Sequence, residues 1–201
     1  MERSMCRLAA ILTLASALLV GGCAGTVKNM REVPPESAAP APQPGKAMIV
    51  FLRPSGLGFA IQSSVFEVRG ATPALVGIVA AKTKIAYHVD PGQRTFMALG
   101  ESADFMTADL LPGRIYYAYV SPRIGMWKAR FALEPKRRQD QDSSEFKTDL
   151  QDCRWVEVTP QTTRWMAENL RSIETKQAAY FVEWQGKPEA DKPRLLAEDG
   201  R

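Results

Sequence analysis

Histidine occurs once in these 201 residues and cysteine three times, and that scarcity removes most familiar chemistries at the outset. Serine and cysteine nucleophiles ordinarily need an adjacent base, and His88 is the sole imidazole in the chain. Its parity in the stretch TKIAYHV sets it with Lys84 and Ala86, opposite Ile85, Tyr87 and Val89, which is the placement of a surface or edge histidine. With one histidine and no His/Cys/carboxylate cluster at ligand spacing, zinc and iron sites are unsupported. Glu101 with Asp104, and Asp140 with Asp142, are carboxylate pairs; neither follows a calcium-loop spacing, and such pairs more often mark turns and solvated loops. A complete Gly-x-Gly-x-x-Gly is missing as well. SGLGFA, residues 55–60, joins strand to strand, offers no helix N-terminus to a phosphate, and reads as a flexible hairpin. No catalytic residue, metal or cofactor is expected.

Long apolar runs are also lacking, with one short exception. Behind Arg3 and Arg7 the chain is uncharged from Leu8 to Val20, the length of a secretory h-region and short of the ~20 residues that span a bilayer. Val20-Gly21-Gly22-Cys23 follows, and these small residues before a cysteine resemble the bacterial lipobox. Residues 1–22 are therefore expected to be a lipoprotein signal peptide, with Cys23 acylated and first in the mature chain. Acyl chains contribute about 0.8 kcal/mol per buried CH₂, and two or more of them anchor a protein nearly permanently. Ala24 stands where an Asp would favour inner-membrane retention, so the expected address is the periplasmic face of the outer membrane. Cys6 leaves with the signal, so only Cys153 remains. No intrachain disulfide can form, and burial is the expected state of that thiol.

Charge is unevenly shared. Residues 46–138 hold thirteen basic and six acidic side chains, whereas residues 139–201 hold nine basic and thirteen acidic. The two halves are complementary, so the basic half is expected to dock on the acidic one or to face anionic lipid or lipopolysaccharide. The basic residues are scattered singly among apolar ones, without interleaved stacking aromatics, and nucleic acid is not an expected partner. Lys136-Arg137-Arg138 reads as a solvated boundary.

What the chain does contain is organised. Pro34, Pro35, Pro40, Pro42 and Pro44 make residues 23–45 an expected Pro/Ala-rich tether of polyproline character, at up to ~3.1 Å per residue. Eight runs follow: AMIVFLR, FAIQSSVFEV, ALVGIV, TKIAYHV, RTFMALGES, FMTADLL, RIYYAYV and WKARFALE. Their spacing and alternation predict a mainly β domain over residues 46–136, an antiparallel β-sandwich. DPGQRTF and LPGRIYY repeat one device, with Pro presetting φ and Gly accepting positive φ in a type II turn.

IVFLRPS, with its strand ending in Arg-Pro, and the two Pro-Gly hairpins resemble a family of small bacterial envelope lipoproteins carrying a β-sandwich domain of unknown function. The likeness covers residues 46–135. It implies a sandwich on a lipid tether and no reaction.

Residues 137–201 lie outside that likeness. They predict a short helix or loop near Ser144–Gln151, a strand at Cys153–Val158, and a helix from Pro160 to about Gln185 with Thr159 as N-cap. Met166, Leu170, Ile173, Gln177, Tyr180, Phe181 and Trp184 form an apolar stripe expected to lie on the sandwich. Leu195 and Leu196 are expected to pin the tail. In SPRIGMWKAR, Arg123, Ile124, Met126 and Trp127 combine the residue types enriched at interface centres and form the candidate interface. The expected function is a non-catalytic binding or scaffolding module, held to the membrane through Cys23 and contacting an envelope protein or glycan. An envelope hydrolase and a self-associating structural lipoprotein are the alternatives.

Overall fold

The computed structural model describes residues 27–37, 39–123 and 130–201. Each of the eight alternating runs becomes a strand: β2 (Ala47–Arg53), β3 (Ser63–Glu67), β4 (Ala74–Val79), β5 (Thr83–Val89), β6 (Gly92–Leu99), β7 (Ala103–Leu110), β8 (Ile115–Arg123) and β9 (Arg130–Pro135). Three further strands complete the sheets: β1 (Met30–Glu32), β10 (Arg154–Val158) and β11 (Arg194–Leu195). One sheet runs β1-β10-β5-β2-β8-β9 and the other β11-β7-β6-β3-β4.

The sheets are mixed, which corrects the expectation of a purely antiparallel sandwich. β2 pairs parallel with β8, β5 with β10, and β7 with β11. The cause is connectivity. Between β2 and β8 the chain passes through the other sheet before returning, and β10 and β11 come from the C-terminal extension. A period of two specifies that a run is a strand and which face is apolar, but carries no direction for its neighbour.

Between the sheets lies the main core, including Ile49, Phe51, Val65, Phe96, Met106 and Tyr116. The rings of Phe51 and Phe96 stand 5.3 Å apart, tilted. Each sheet is covered on its outer face by a helix, α1 (Ser144–Asp152) and α2 (Pro160–Gln185). In α2 the expected stripe is present: buried Ile173 and Trp184, with Met166, Tyr180 and Phe181, pack on Phe66, Met97, Leu99 and Phe105. Leu170 is half-buried, and Trp165, absent from the predicted stripe, joins the cluster. Thr159 accepts from the Thr162 N–H while its own N–H donates to Thr162 Oγ1, with Pro160 in the first turn. This reciprocal cap satisfies backbone donors that a helix start otherwise leaves unpaired. On the other face, Phe146 of α1 packs with Leu52, Tyr119 and Cys153. The Cys153 thiol is free and buried, and burial pushes its pKa up to about 12.

Both Pro-Gly turns require their glycines, with φ of 101° at Gly92 and 73° at Gly113. A Cβ would meet nothing within 4 Å at either site, so the need is conformational and not steric.

The segment 136–138 is half-exposed to exposed, and its side chains nevertheless have partners. Arg137 pairs with buried Asp199 at 2.8 Å and the Arg138 guanidinium donates to the Gly200 carbonyl. The Lys136 ammonium lies 3.6 Å from the Tyr119 ring centroid. These residues hold the tail, whose Leu195 is fully buried in the main core.

β1 changes the meaning of the Pro-rich stretch. Met30–Glu32, inside the segment expected as a tether, pairs antiparallel with β10, and the Val33 N–H donates to the Trp155 carbonyl. The prolines that follow link β1 to β2, with His88 Nε2 2.8 Å from the Ala41 carbonyl. Between Cys23 and the first strand stand only residues 24–29.

Candidate functional site at the end of the sandwich opposite the N-terminus

Strand directions place the chain's landmarks at two ends. β1 begins with Met30 opposite Val158, and β10 runs parallel to β5, whose last residue Val89 pairs with Ala47. The described chain therefore enters at the Ala47 end of β2. Arg53 lies at the other end, about 20 Å away at ~3.3 Å per residue. The β2–β3 and β6–β7 connections, the end of β8 and the start of β9 gather there.

Arg53 organises this far end. It is fully buried, and its guanidinium donates to the carbonyls of Ile61 (2.7 Å), Leu57 (2.7 Å) and Gly58 (2.8 Å). It also stacks 5.0 Å from the centroid of Phe131. No carboxylate pairs with it among the described residues, and burial lowers its pKa to about 10, so it stays charged at neutral pH. The planar fork suits this work, since it presents several donors in fixed directions. The loop it holds is the SGLGFA segment read from sequence as a flexible hairpin. Clamped by one buried cation, that loop presents Leu57 at 52%, Phe59 at 58% and Ile61 at 36% exposure.

Two clefts lie at this end, one reaching the loop and both touching the 100–102 hairpin. One, of ≈ 340 Å³, is lined by Ile61, Ser64, Leu99, Glu101, Trp165 and Lys176; the Lys176 ammonium fixes the hairpin by donating to the Gly100 carbonyl at 3.0 Å. The other, of ≈ 430 Å³, is lined by Asp104, Arg123, Arg130, Phe131, Tyr180 and Lys187 among others. An apolar centre with a charged rim is the anatomy of a protein-docking surface.

Of the candidate interface, Arg123 is exposed at this end and pairs with Glu134 at 3.4 Å. Ile124, Met126 and Trp127 lie outside the described residues, as does Cys23. The carboxylates Glu101 and Asp104 line different clefts. Among the described residues no group of three His, Cys, Asp or Glu side chains could hold a metal ion, and no helix is long and apolar enough to cross a membrane. Sequence reasoning missed the exposed loop residues. Phe59 and Ile61 open the run FAIQSSVFEV, but β3 begins only at Ser63, so both stand outside the strand.

Asp104 gives the site a pH signature. Its carboxylate faces the core and accepts from the Leu133 N–H at 3.1 Å. Burial raises its pKa, against backbone hydrogen bonds from Leu133 and Phe105 and the nearby Lys187 and Arg123. A native pKa above the unfolded value means its contribution to stability is fully present below the unfolded pKa of about 3.9 and is lost as pH rises through the native one. Urea unfolding from pH 4 to pH 7 will show Asp104→Asn gaining on the native protein as pH rises. A constant difference across that range contradicts the assignment.

No family model matches the chain, and neither does any curated protein or solved structure.

Proposed function

We propose that this protein is a non-catalytic, lipid-anchored binding or scaffolding module of a bacterial envelope, fixed at Cys23 to the periplasmic face of the outer membrane. One observation carries the reading: the chain enters at one end of the sandwich, while a clamped, exposed apolar loop stands at the other. Lys46, Arg69, Arg94 and Arg114 stand at the end where the described chain enters, the first three ion-paired with Asp90 or Glu67. With residues 24–29 as the whole spacer, that end rests near the bilayer and the loop points away from it, toward an envelope protein. The lipobox and the likeness to envelope lipoproteins, both read from sequence, support the anchor.

The anchor is tested by metabolic labelling. Wild type will incorporate labelled palmitate and sediment with outer membranes, whereas Cys23→Ser will carry no label and remain as precursor. An unlabelled wild-type protein in the soluble periplasmic fraction contradicts the reading.

A further inference from the structure

The ladder between β5 and β10 stops after two residue pairs, Arg154 with Thr83 and Trp155 with Lys84. Beyond them β5 continues to Val89 bonded to β2, and β10 continues to Val158 bonded to β1. The six-stranded sheet therefore splits lengthwise. A cleft of ≈ 680 Å³ occupies the split, lined by Leu75, Val76, Ile85, Tyr87, Val156 and Val158 among others. That volume lies within the roughly 300–1,000 Å³ of small-molecule pockets. Its walls are mostly aliphatic and aromatic, with His88 and Glu157 among them and Val33 and Pro40 of the β1–β2 linker beside it, and Val158 is 42% exposed.

The direction of the split matters. It is closed at Lys84 and Trp155 and open toward Val89 and Val158, the end at which Met30 pairs with Val158. Cys23 precedes Met30 by seven residues, which span at most about 25 Å. The mouth of an apolar cleft thus lies within reach of the residue that carries the anchor.

We infer that the split between β5 and β10 is the seat of an acyl chain borne by Cys23, so that the protein shields part of its own anchor when it is out of the bilayer. This rests on acylation of Cys23 as proposed above. An acyl chain in water is strongly unfavourable, and a domain with an apolar sleeve beside its own N-terminus lowers that penalty without a partner. The competing occupant is an extended peptide, because among the described residues neither lip has a ladder partner on the side facing the split. The position of the mouth favours the acyl chain: it opens where the lipid is attached, whereas the docking loop lies at the far end.

The probe is bromine-labelled stearic acid, whose bromines quench tryptophan fluorescence, and the reporter is Trp155 on the cleft wall. The acylated protein is compared with the Cys23→Ser chain produced from residue 23 onward, without the apolar residues 1–22, which alters nothing within the sandwich. Cys23→Ser will bind the probe and lose Trp155 emission, with that quenching absent from Cys23→Ser/Trp155→Phe. The acylated protein, its cleft filled, will bind at least about tenfold more weakly. Cys23→Ser/Val158→Asp, altered at an exposed lining position and checked for native circular dichroism, will also bind about tenfold more weakly. No quenching of Cys23→Ser overturns the inference. Equal quenching of both forms overturns it too, assigning the cleft to acyl chains taken from the bilayer. An apolar peptide that protects β5 amides from exchange, where stearate does not quench, overturns it in favour of strand addition. Mass spectrometry separates the two proposals: an unmodified Cys23 defeats both, whereas an acylated Cys23 with an open cleft defeats this one alone.

Discussion

Arg53→Met will lower stability by about 2–4 kcal/mol and release the 54–62 loop. The guanidinium makes three part-buried hydrogen bonds to loop carbonyls, each worth roughly 1.5–3 kcal/mol as a bond to a charged group, a loss reduced where the freed carbonyls reach water. Methionine fills a similar volume and removes the desolvation cost of a buried cation that has no carboxylate partner among the described residues. That gain offsets part of the loss and keeps the figure below the sum of three bonds. The sharper readout is local. The Ile61 N–H, which donates to the Gly58 carbonyl at 3.0 Å, will exchange with solvent far faster in the variant, while amides of β2 and β8 change little. Arg53→Lys will fare little better, because an ammonium is a point charge and cannot reproduce the fork. Native melting together with unchanged exchange in the loop would show that Arg53 does not hold it.

Ile173→Asp will unfold the protein or destabilise it by ~4 kcal/mol or more. Ile173 is 2% exposed, among Phe66, Met97, Phe105 and Trp184. The substitution forfeits about 1.5–3 kcal/mol of apolar burial and places a carboxylate in an apolar cluster, where the nearby Lys176 is already engaged with the Gly100 carbonyl, a further penalty that ordinary domain stabilities of about 5–15 kcal/mol barely absorb. Ile173→Ala grades the effect, at about 2–5 kcal/mol, by leaving a cavity without a charge. A well-folded, monomeric Ile173→Asp protein would mean that α2 is a detachable interface and not part of the core. The aromatic contacts two to three turns further along the helix argue for the core: Phe105 stands 5.1 Å from Phe181 and 5.8 Å from Trp184.

How far the sequence was legible follows from which signals are local. The eight alternating runs, the Thr159-Pro160 helix start and the burial of Cys153 depend on neighbouring residues or on residue type, and the structure has all of them. Parallel pairings were illegible, because alternation in β2 and β8 is the same whichever way the neighbour runs. Met30–Glu32 was hidden by its surroundings: a three-residue edge strand beside a proline cluster has too few positions to show a period. The 54–62 loop was misread for a different reason. Its glycines signal freedom, and only tertiary burial of Arg53 takes that freedom away. Glu67 belongs to the same class. It is 1% exposed between the sheets, yet accepts from Tyr87 at 2.8 Å and Arg69 at 2.7 Å, a network assembled from strands in both sheets. As for the candidate interface, Arg123 stands at the Arg53 end of the sandwich, in the cleft with Asp104 and Phe131.

The central claim is an orientation: the N-terminal end faces lipid and the Arg53-clamped loop faces a partner protein. Site-specific photo-crosslinking in intact envelopes measures it directly, with the reactive side chain placed at Phe59 in one protein and at Leu111 in another. Both positions are well exposed, at 58% and 45%, and lie at opposite ends of the sandwich. The account predicts a discrete protein adduct from position 59, lost on adding Arg53→Met, and phospholipid adducts from position 111. Phospholipid adducts at position 59, or the same protein adduct from both positions, would contradict it.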